Sequence, residues 1–372
     1  MDVQVEDALA DEAGPGSPSH ARALHYPLAG RLPADGEAIE VAEGVLWARL
    51  AMPMALDHVN VWLLRDGEGF AVVDCGLDIA PSRDSWEALL AGPMQGRPLT
   101  RVICTHMHPD HIGLAGWLCA RFRAPLLMSR TEYVTARMLL ADTGRRAPED
   151  AERFYVAAGY DEDQLQRFRE RYGQFGMAVA PMPDSYQRLV EGDVVSIDAK
   201  CWRVVIGQGH SPEHVCLIRD EDGVMIAGDQ ILPRISSNVS VWPTEPLADP
   251  LGDWLASLAR LRGELDEGLL VLPSHGEPFH GVAARLDALI RGHDLSLRRL
   301  ERRLEQPRRA VDVFGALFAR TVSGGLLAMA TGEAIAHLNH LERAGRILRR
   351  RDQNGVDWWQ VKGASAPPSD ME

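Results

Sequence analysis

The sequence has no paired cysteines, no leader-like beginning and no apolar run of membrane length. Its five cysteines stand singly in apolar stretches without a CxxC spacing, which is typical of buried, reduced thiols. The beginning of the chain is acidic and rich in glycine, proline and alanine, so it lacks the basic and apolar regions of a signal peptide. No uninterrupted apolar stretch is long enough to cross a bilayer. We therefore expect a cytoplasmic protein without a membrane partner.

Basic residues are also scarce over most of the chain. The 39 Lys and Arg stand against 53 Asp and Glu, and the formal net charge of -14 argues against a nucleic-acid-coating surface, since phosphate contacts need clustered cations. The exception is the segment from Arg285 to Lys362, where 15 basic residues outnumber 9 acidic ones. We interpret this segment as an arginine-rich helical surface.

The length of 372 residues favours one large domain and a small one. Short strand-like runs alternate with helical stretches, which predicts an α/β layered architecture. Two helical stretches and then two strand-like runs around Asn354-Gly355 are typical of a winged helix. The predicted organisation is a disordered tail over 1–36, a main domain over 37–306 with a helical insertion at about 130–186, a winged-helix-like module over 307–362, and a second tail over 363–372.

The strongest chemical signal is the run His106-x-His108-x-Asp110-His111, which directly follows a strand-like stretch. Four such groups in a short loop would cost roughly several kcal/mol to bury without a cation. Neutral imidazoles and carboxylates are the ligands that zinc prefers in open, catalytic sites. The run therefore predicts a metal site at the end of a strand.

Three further candidate ligands follow strand-like runs in the same way: His210, Asp229 and His275. Glycine lies beside each of them, and glycine permits the tight turns that let a short side chain reach an ion. Together with the loop, these residues form an ordered set of seven ligands, which is enough for two metal ions.

This ordered set resembles that of the metallo-β-lactamase superfamily. The resemblance implies an αββα sandwich with metals at the strand ends along one edge. It also implies a first metal on His106, His108 and His210, a second on Asp110, His111 and His275, and Asp229 between them. An upstream strand-end Asp belongs to the pattern and is matched by Asp74. We expect Asp74 and His214 to orient the ligands from behind. The run Gly-His-Ser-Pro-Glu-His at 209–214 and the winged helix resemble the glyoxalase II and metallo-β-lactamase-like endoribonuclease subgroup.

The expected activity is that of a two-metal hydrolase. Two zinc ions are the default, although iron and manganese accept the same ligands. Two cations sharing a water would make a bridging hydroxide available for attack on a small ester-like bond. In this hypothesis Asp110 holds one metal and can accept the proton of the nucleophile, and Asp229 sets the separation of the metals.

Two substrate classes stay open at this point. A small-molecule acyl substrate, with a thioester favoured over a lactone, fits the acidic chain. A nuclease acting on RNA or DNA is the alternative, because arginines crowd the predicted winged helix. Against it, aromatic residues that could stack on bases are scarce between those arginines.

The predicted winged helix could instead support a homodimer, and a non-enzymatic role would require a broken ligand set, whereas all seven positions are filled. Four histidines outside the ligand pattern are expected at the surface: His280, His293, His337 and His340.

Overall fold

The computed structural model describes residues 24–28, 30–54, 56–319 and 321–363. Within these residues the strands are β1 (Ile39–Ala42), β2 (Val45–Ala51), β3 (His58–Asp66), β4 (Gly69–Val73), β5 (Leu99–Ile103), β6 (Leu126–Ser129), β7 (Gln187–Leu189), β8 (Val194–Ile197), β9 (Lys200–Gly207), β10 (His214–Arg219), β11 (Val224–Gly228), β12 (Leu270–Pro273), β13 (Ile347–Arg351) and β14 (Asp357–Val361).

The α-helices of the same residues are α1 (Ala80–Ala91), α2 (Pro109–Ile112), α3 (Ala115–Phe122), α4 (Arg130–Ala141), α5 (Glu149–Ala158), α6 (Glu162–Arg171), α7 (Pro250–Glu264), α8 (Val282–Arg303), α9 (Phe314–Leu317) and α10 (Leu327–Arg343). None of the described helices combines the length and the apolar composition of a bilayer span.

Two sheets face each other. The first has the order β1-β2-β3-β4-β5-β6-β7, and the second has the order β12-β11-β10-β9-β8. Strands β4 to β7 run parallel, as do β11 and β12, so their carboxyl ends meet at one edge of the sandwich.

The central strands of each sheet, such as β4, β10 and β11, are buried on both faces, which explains why they read as almost continuous apolar runs. On β3, Trp62 and Leu64 pack between the sheets, whereas Val61 and Leu63 pack outwards against α1 and α3. The outer face of the second sheet is covered by α7 and α8. The layers are therefore helix, sheet, sheet and helix, and the predicted αββα sandwich is confirmed.

The predicted helical insertion contains α4, α5 and α6. After α8, the C-terminal unit (residues 307–319 and 321–362) contains α9, α10 and the antiparallel β13–β14 hairpin. Its buried side chains, among them Leu338 and Trp359, belong to the same hydrophobic cluster as Trp254 of α7 and Leu286 of α8. The unit therefore shares a core with the main domain instead of standing apart from it.

Two local expectations differ from the structure. The disordered tail is predicted over 1–36, but its described part contacts the main domain, because His25 pairs with His280 and Asp35 accepts a hydrogen bond from Ser85. Residues 1–23 and 364–372 lie outside the described chain. The hairpin turn spans 352–356 instead of the two residues Asn354-Gly355, since the Asp352 carboxylate accepts the N–H groups of residues 354 and 356.

Candidate metal centre

All seven predicted ligands lie at the edge where the parallel strands end. The loop after β5 carries His106 and His108, and α2 begins at Pro109 and presents Asp110 and His111 from its first turn. The other three follow β9, β11 and β12: His210, Asp229 and His275. Ligands that are up to 169 positions apart in sequence thus meet because the strands that carry them end side by side.

Two glycines allow this close approach. Gly228 adopts φ 55°, and a Cβ there would lie 2.4 Å from Cε1 of His214. Gly209 adopts φ 105°, and a Cβ there would lie 2.4 Å from the Cβ of Trp254. Any other residue would meet both backbone strain and a clash, so these positions require glycine.

The first group of ligands consists of three histidines: His106, His108 and His210. Nε2 of His106 lies 2.9 Å from Nδ1 of His108 and 3.3 Å from Nε2 of His210. Burial lowers the pKa of His106 well below its ordinary value and that of His108 to about 3. These two rings are therefore neutral near pH 7, and their lone pairs are free to bind a cation.

The second group consists of Asp110, His111 and His275. Oδ2 of Asp110 lies 3.2 Å from Nε2 of His111 and 3.4 Å from Nε2 of His275. Burial by itself would lower the pKa of His275, but Asp229 and Asp110 together raise it to about 10. The carboxylates of Asp110 and Asp229 thus favour positive charge at this position.

Asp229 lies between the two groups. Its Oδ2 is 3.4 Å from Nε2 of His210 in the first group and 3.7 Å from Nε2 of His111 in the second. Its Oδ1 is 3.4 Å from Nε2 of His275. A carboxylate in this position can bind one cation with each oxygen.

Three of the histidines are oriented from behind through Nδ1. His111 donates to Asp74 at 2.8 Å, His210 to the carbonyl oxygen of Asn238 at 2.7 Å, and His275 to the carbonyl oxygen of His58 at 2.7 Å. Each ring therefore keeps a proton on Nδ1 and directs Nε2 towards the centre, where that nitrogen would bind a cation.

Asp74 and His214 occupy the supporting positions that the sequence suggested. Asp74 is fully buried and accepts hydrogen bonds from the backbone and the hydroxyl of Thr105 as well as from His111. Nε2 of His214 accepts the backbone N–H of Asp229 at 3.0 Å. One therefore supports the motif loop, and the other supports the central carboxylate.

Sequence reasoning missed Glu132 of α4. Its fully buried carboxylate accepts the N–H of Met107 at 2.9 Å and the N–H of Glu213 at 2.7 Å. It thereby joins the two loops that carry the first histidine group. Nothing in the local sequence signals this role, because Glu132 stands in a helical stretch with no other candidate ligand beside it.

Two of the outlying histidines are also placed differently from the expectation. His293 and His337 are 4 % and 2 % exposed, so the surface positions predicted for them are wrong. Nδ1 of His293 lies 3.4 Å from Nε2 of His337, and the apolar helix packing around them hides both rings from water.

The residues present fit metal ions. Among the buried atoms of the described residues, Nε2 of His111 and Oδ1 of Asp229 make no hydrogen bond, and both point into the cluster. Buried polar atoms without a partner are costly, and a cation would satisfy them. The imidazole and carboxylate set suits zinc, iron or manganese.

Sequence models of two families match this chain. The model of the metallo-beta-lactamase superfamily matches residues 54–275. The model of a metallo-beta-lactamase-like C-terminal domain matches residues 297–362. The second match begins within α8, so it includes the helix from which the C-terminal unit continues.

The crystal structure of a beta-lactamase domain protein from Burkholderia ambifaria is similar to this chain, with a TM-score of 0.84 and 40% identity, over 92% of this chain and 99% of that one. The acyl-coenzyme A thioesterase MBLAC2 of Gallus gallus is 26% identical over 64% of this chain and 80% of its own length. The atrochrysone carboxyl ACP thioesterase of Aspergillus fumigatus is 23% identical over 62% of this chain and 41% of its own length.

Proposed function

The chain belongs to the metallo-beta-lactamase superfamily, and from this premise we propose that it is a two-metal hydrolase that cleaves thioesters of small acyl groups. The observation that carries the proposal is the position of Asp229, whose carboxylate lies 3.4 Å from a histidine of the first group and 3.4 to 3.7 Å from the two histidines of the second. One carboxylate between two sets of ligands is the arrangement that a pair of cations requires.

In this proposal His106, His108 and His210 would hold one zinc ion, Asp110, His111 and His275 would hold the other, and the carboxylate of Asp229 would serve both. Iron or manganese could take their place. When bound, the pair supplies Lewis acidity, which lowers the pKa of a shared water and polarises the carbonyl of the substrate.

The residues of the chain have separate tasks in this hydrolysis. Asp110 is the most accessible carboxylate of the centre, with 16% of its side chain exposed, so it can accept the proton that the attacking water gives up. Asp74, which is 1% exposed, is shielded from substrate and holds the ring of His111 in place. His214 fixes the backbone of Asp229 and hence the position of its carboxylate oxygens.

A thioester substrate is favoured by two kinds of observation. Two similar proteins bear names of thioesterases, one for acyl-coenzyme A and one for an acyl carrier protein. The net charge of -14 also disfavours a long polyanionic substrate. A lactone or another ester is the next choice, because the same attack on a carbonyl would open it.

Three of the arginines that suggested a nuclease are paired within the fold. Arg346 pairs with Glu301, Arg349 pairs with Glu342 at 3.1 Å, and Arg351 pairs with Asp357 at 2.7 Å. Arginines that already pair with carboxylates offer less charge to phosphates. Cleavage of RNA or DNA therefore stays the second candidate.

The test compares an acyl-coenzyme A, a lactone and an RNA under the same conditions. We expect hydrolysis of the thioester, its loss on chelation and its return with zinc. Asp110→Asn should lower kcat about 100-fold, whereas the exposed-site variant Asp220→Asn should leave it unchanged. Cleavage of RNA alone, with a rate that falls steeply as salt rises, would refute the thioester assignment and favour the nuclease.

A further inference from the structure

The segment 236–241 lies between the metal centre and the C-terminal unit. Its alternate side chains face α8 and α10: Ser236 lies 3.3 Å from Nε2 of His293, Asn238 donates to Glu333 at 2.7 Å, and Ser240 donates to the carbonyl oxygen of Met329 at 3.2 Å. Side chains that alternate in this way are typical of an extended backbone, and here every second side chain faces the two helices.

The other side of the same segment contacts the candidate ligands. The carbonyl oxygen of Asn238 accepts the Nδ1–H of His210 at 2.7 Å. The hydroxyl of Ser237 donates to the carbonyl oxygen of Asp229. One short segment thus touches the ring of a histidine of the first group and the backbone of Asp229, the residue whose carboxylate lies between the groups.

The contact with α10 is close and dry. Val239 and Val241 are 0% and 1% exposed, and the N–H of Val241 donates to the carbonyl oxygen of Gly332 at 3.0 Å. A Cβ at Gly332 would lie 2.8 Å from the Cβ of Ser240. The absence of a side chain at Gly332 therefore lets α10 pack closely against the segment. Glu333, the next residue, is itself 3% exposed.

We propose that α10 is a positioning element of the metal centre, and that Glu333 acts through Asn238 to hold the ring of His210 in the direction that binds metal. The proposal rests on the two-metal centre proposed above. Glu333 fixes the Asn238 side chain, the backbone of Asn238 stays in register, and its carbonyl keeps the proton of His210 on Nδ1. Groups behind a ligand are known to change metal affinity about 10- to 100-fold.

The experiment uses the full chain and measures zinc affinity by competition with a chromogenic chelator. Glu333→Ala should weaken the binding of one of the two ions about tenfold and leave the other unchanged. Glu333→Gln retains an oxygen that accepts from Asn238 and should restore most of the affinity. The visible spectrum of the cobalt-substituted protein should shift in Glu333→Ala, because the ring of His210 changes its orientation.

Asn339→Ala is the matched control. Asn339 lies on the same helix, is 4% exposed, and donates to the carbonyl oxygens of Pro246 and Ala248 at 3.1 and 2.9 Å, away from any ligand. It should lower stability without changing zinc affinity or the cobalt spectrum. If Glu333→Ala does not fold, Asn238→Ala removes the same link from its other end and is expected to give the same loss.

Wild-type affinity in folded Glu333→Ala, or an equal loss in Asn339→Ala, would overturn the proposed positioning role. A wild-type chain that binds fewer than two ions would instead refute the two-metal proposal itself, so the two failures are distinguishable.

Discussion

At the residue scale, the ring orientation of three ligand histidines is set by hydrogen-bond acceptors that are not themselves ligands. His111, His210 and His275 all donate Nδ1–H, to a carboxylate in one case and to backbone carbonyls in the other two. The supporting groups come from three separate parts of the chain, so a change in any of them can disturb a ring that it does not replace. The same holds for the loop backbones, which depend on Glu132.

Glu132→Ala should therefore destabilise the fold and the metal centre together. It leaves the N–H groups of Met107 and Glu213 buried without an acceptor, which should cost about 2 to 4 kcal/mol of the free energy of unfolding. Glu132→Gln keeps one acceptor oxygen and should cost less than half as much. Urea denaturation measures both, with the exposed Glu149→Ala as a control that should change stability by less than about 0.5 kcal/mol.

The buried pair His293 and His337 should make stability depend on pH. Burial lowers the pKa of His293 to about 3 and that of His337 to about 4, against about 6.5 in the unfolded chain, and nearby His340 and Arg299 add to the effect. Below about pH 6.5 the two histidines thus bind protons in the unfolded chain but stay neutral in the folded chain. This stability is complete above pH 6.5 and is lost as the pH falls towards 3, at up to about 1.4 kcal/mol per pH unit for each ring.

The variant His293→Gln tests this directly. Between pH 6.5 and 4 its free energy of unfolding should fall less steeply than that of the wild type, because unfolding of the variant takes up one proton fewer. Because the ligand histidines titrate in both proteins, the difference between the two curves isolates His293. Parallel curves would show that this ring takes up its proton in the folded state as readily as in the unfolded one.

At the element scale, strand β11 connects the core of the second sheet to the metal centre, because Asp229 follows its last residue. It begins after Gly223 and ends at Gly228, and both glycines have positive φ, of 69° and 55°. Only Gly228 lies against the site, since a Cβ at Gly223 would meet nothing closer than 3.9 Å. A substitution at Gly223 would therefore meet backbone strain alone, whereas a substitution at Gly228 would meet both backbone strain and a steric clash.

Gly223→Ala should lower the free energy of unfolding by about 1 kcal/mol, which is the cost of a left-handed conformation. Gly228→Ala adds the clash with His214 and should cost about 3 kcal/mol or more. It should also weaken metal binding, because Asp229 follows directly. Thermal denaturation and zinc titration measure the two effects, and equal behaviour of the two variants would contradict the packing described for Gly228.

The same scale shows what the sequence could predict. Each ligand was found because it follows a strand-like run, and runs that end at one edge bring their last residues together. Glu132 and the link between Asn238 and Glu333 could not be found in this way, since their partners lie 25 to 95 positions away and share no periodic pattern. The burial of His293 and His337 was missed for the same reason, because each ring is covered by another helix.

At the scale of the whole molecule, the C-terminal unit is part of a common core. Tyr160 of the insertion contacts Thr331 of α10 at 3.0 Å, and Trp359 of the hairpin lies in the same hydrophobic cluster as α7 and α8. A boundary near residue 307 reflects a change of composition along the sequence and does not mark a break in packing. The homodimer expected from this unit stays a prediction.

A chain that ends at Leu304 should consequently lose cooperative unfolding and most of its bound zinc. The cut exposes the apolar faces of α7 and α8 and removes the support of the segment 236–241. Circular dichroism on heating and metal analysis of the truncated protein check this expectation. A truncated chain that melts like the full chain and keeps two ions would show that the main domain is self-sufficient.

The most direct test of the account is the metal content of the purified protein, measured by mass spectrometry against protein concentration. We predict close to two transition-metal ions per wild-type chain and the loss of most of this metal in Asp229→Asn, while Asp220→Asn at the surface keeps both ions. A metal-free wild-type chain that is folded and hydrolyses its substrate, or an Asp229→Asn variant with full metal content, would contradict the two-metal centre.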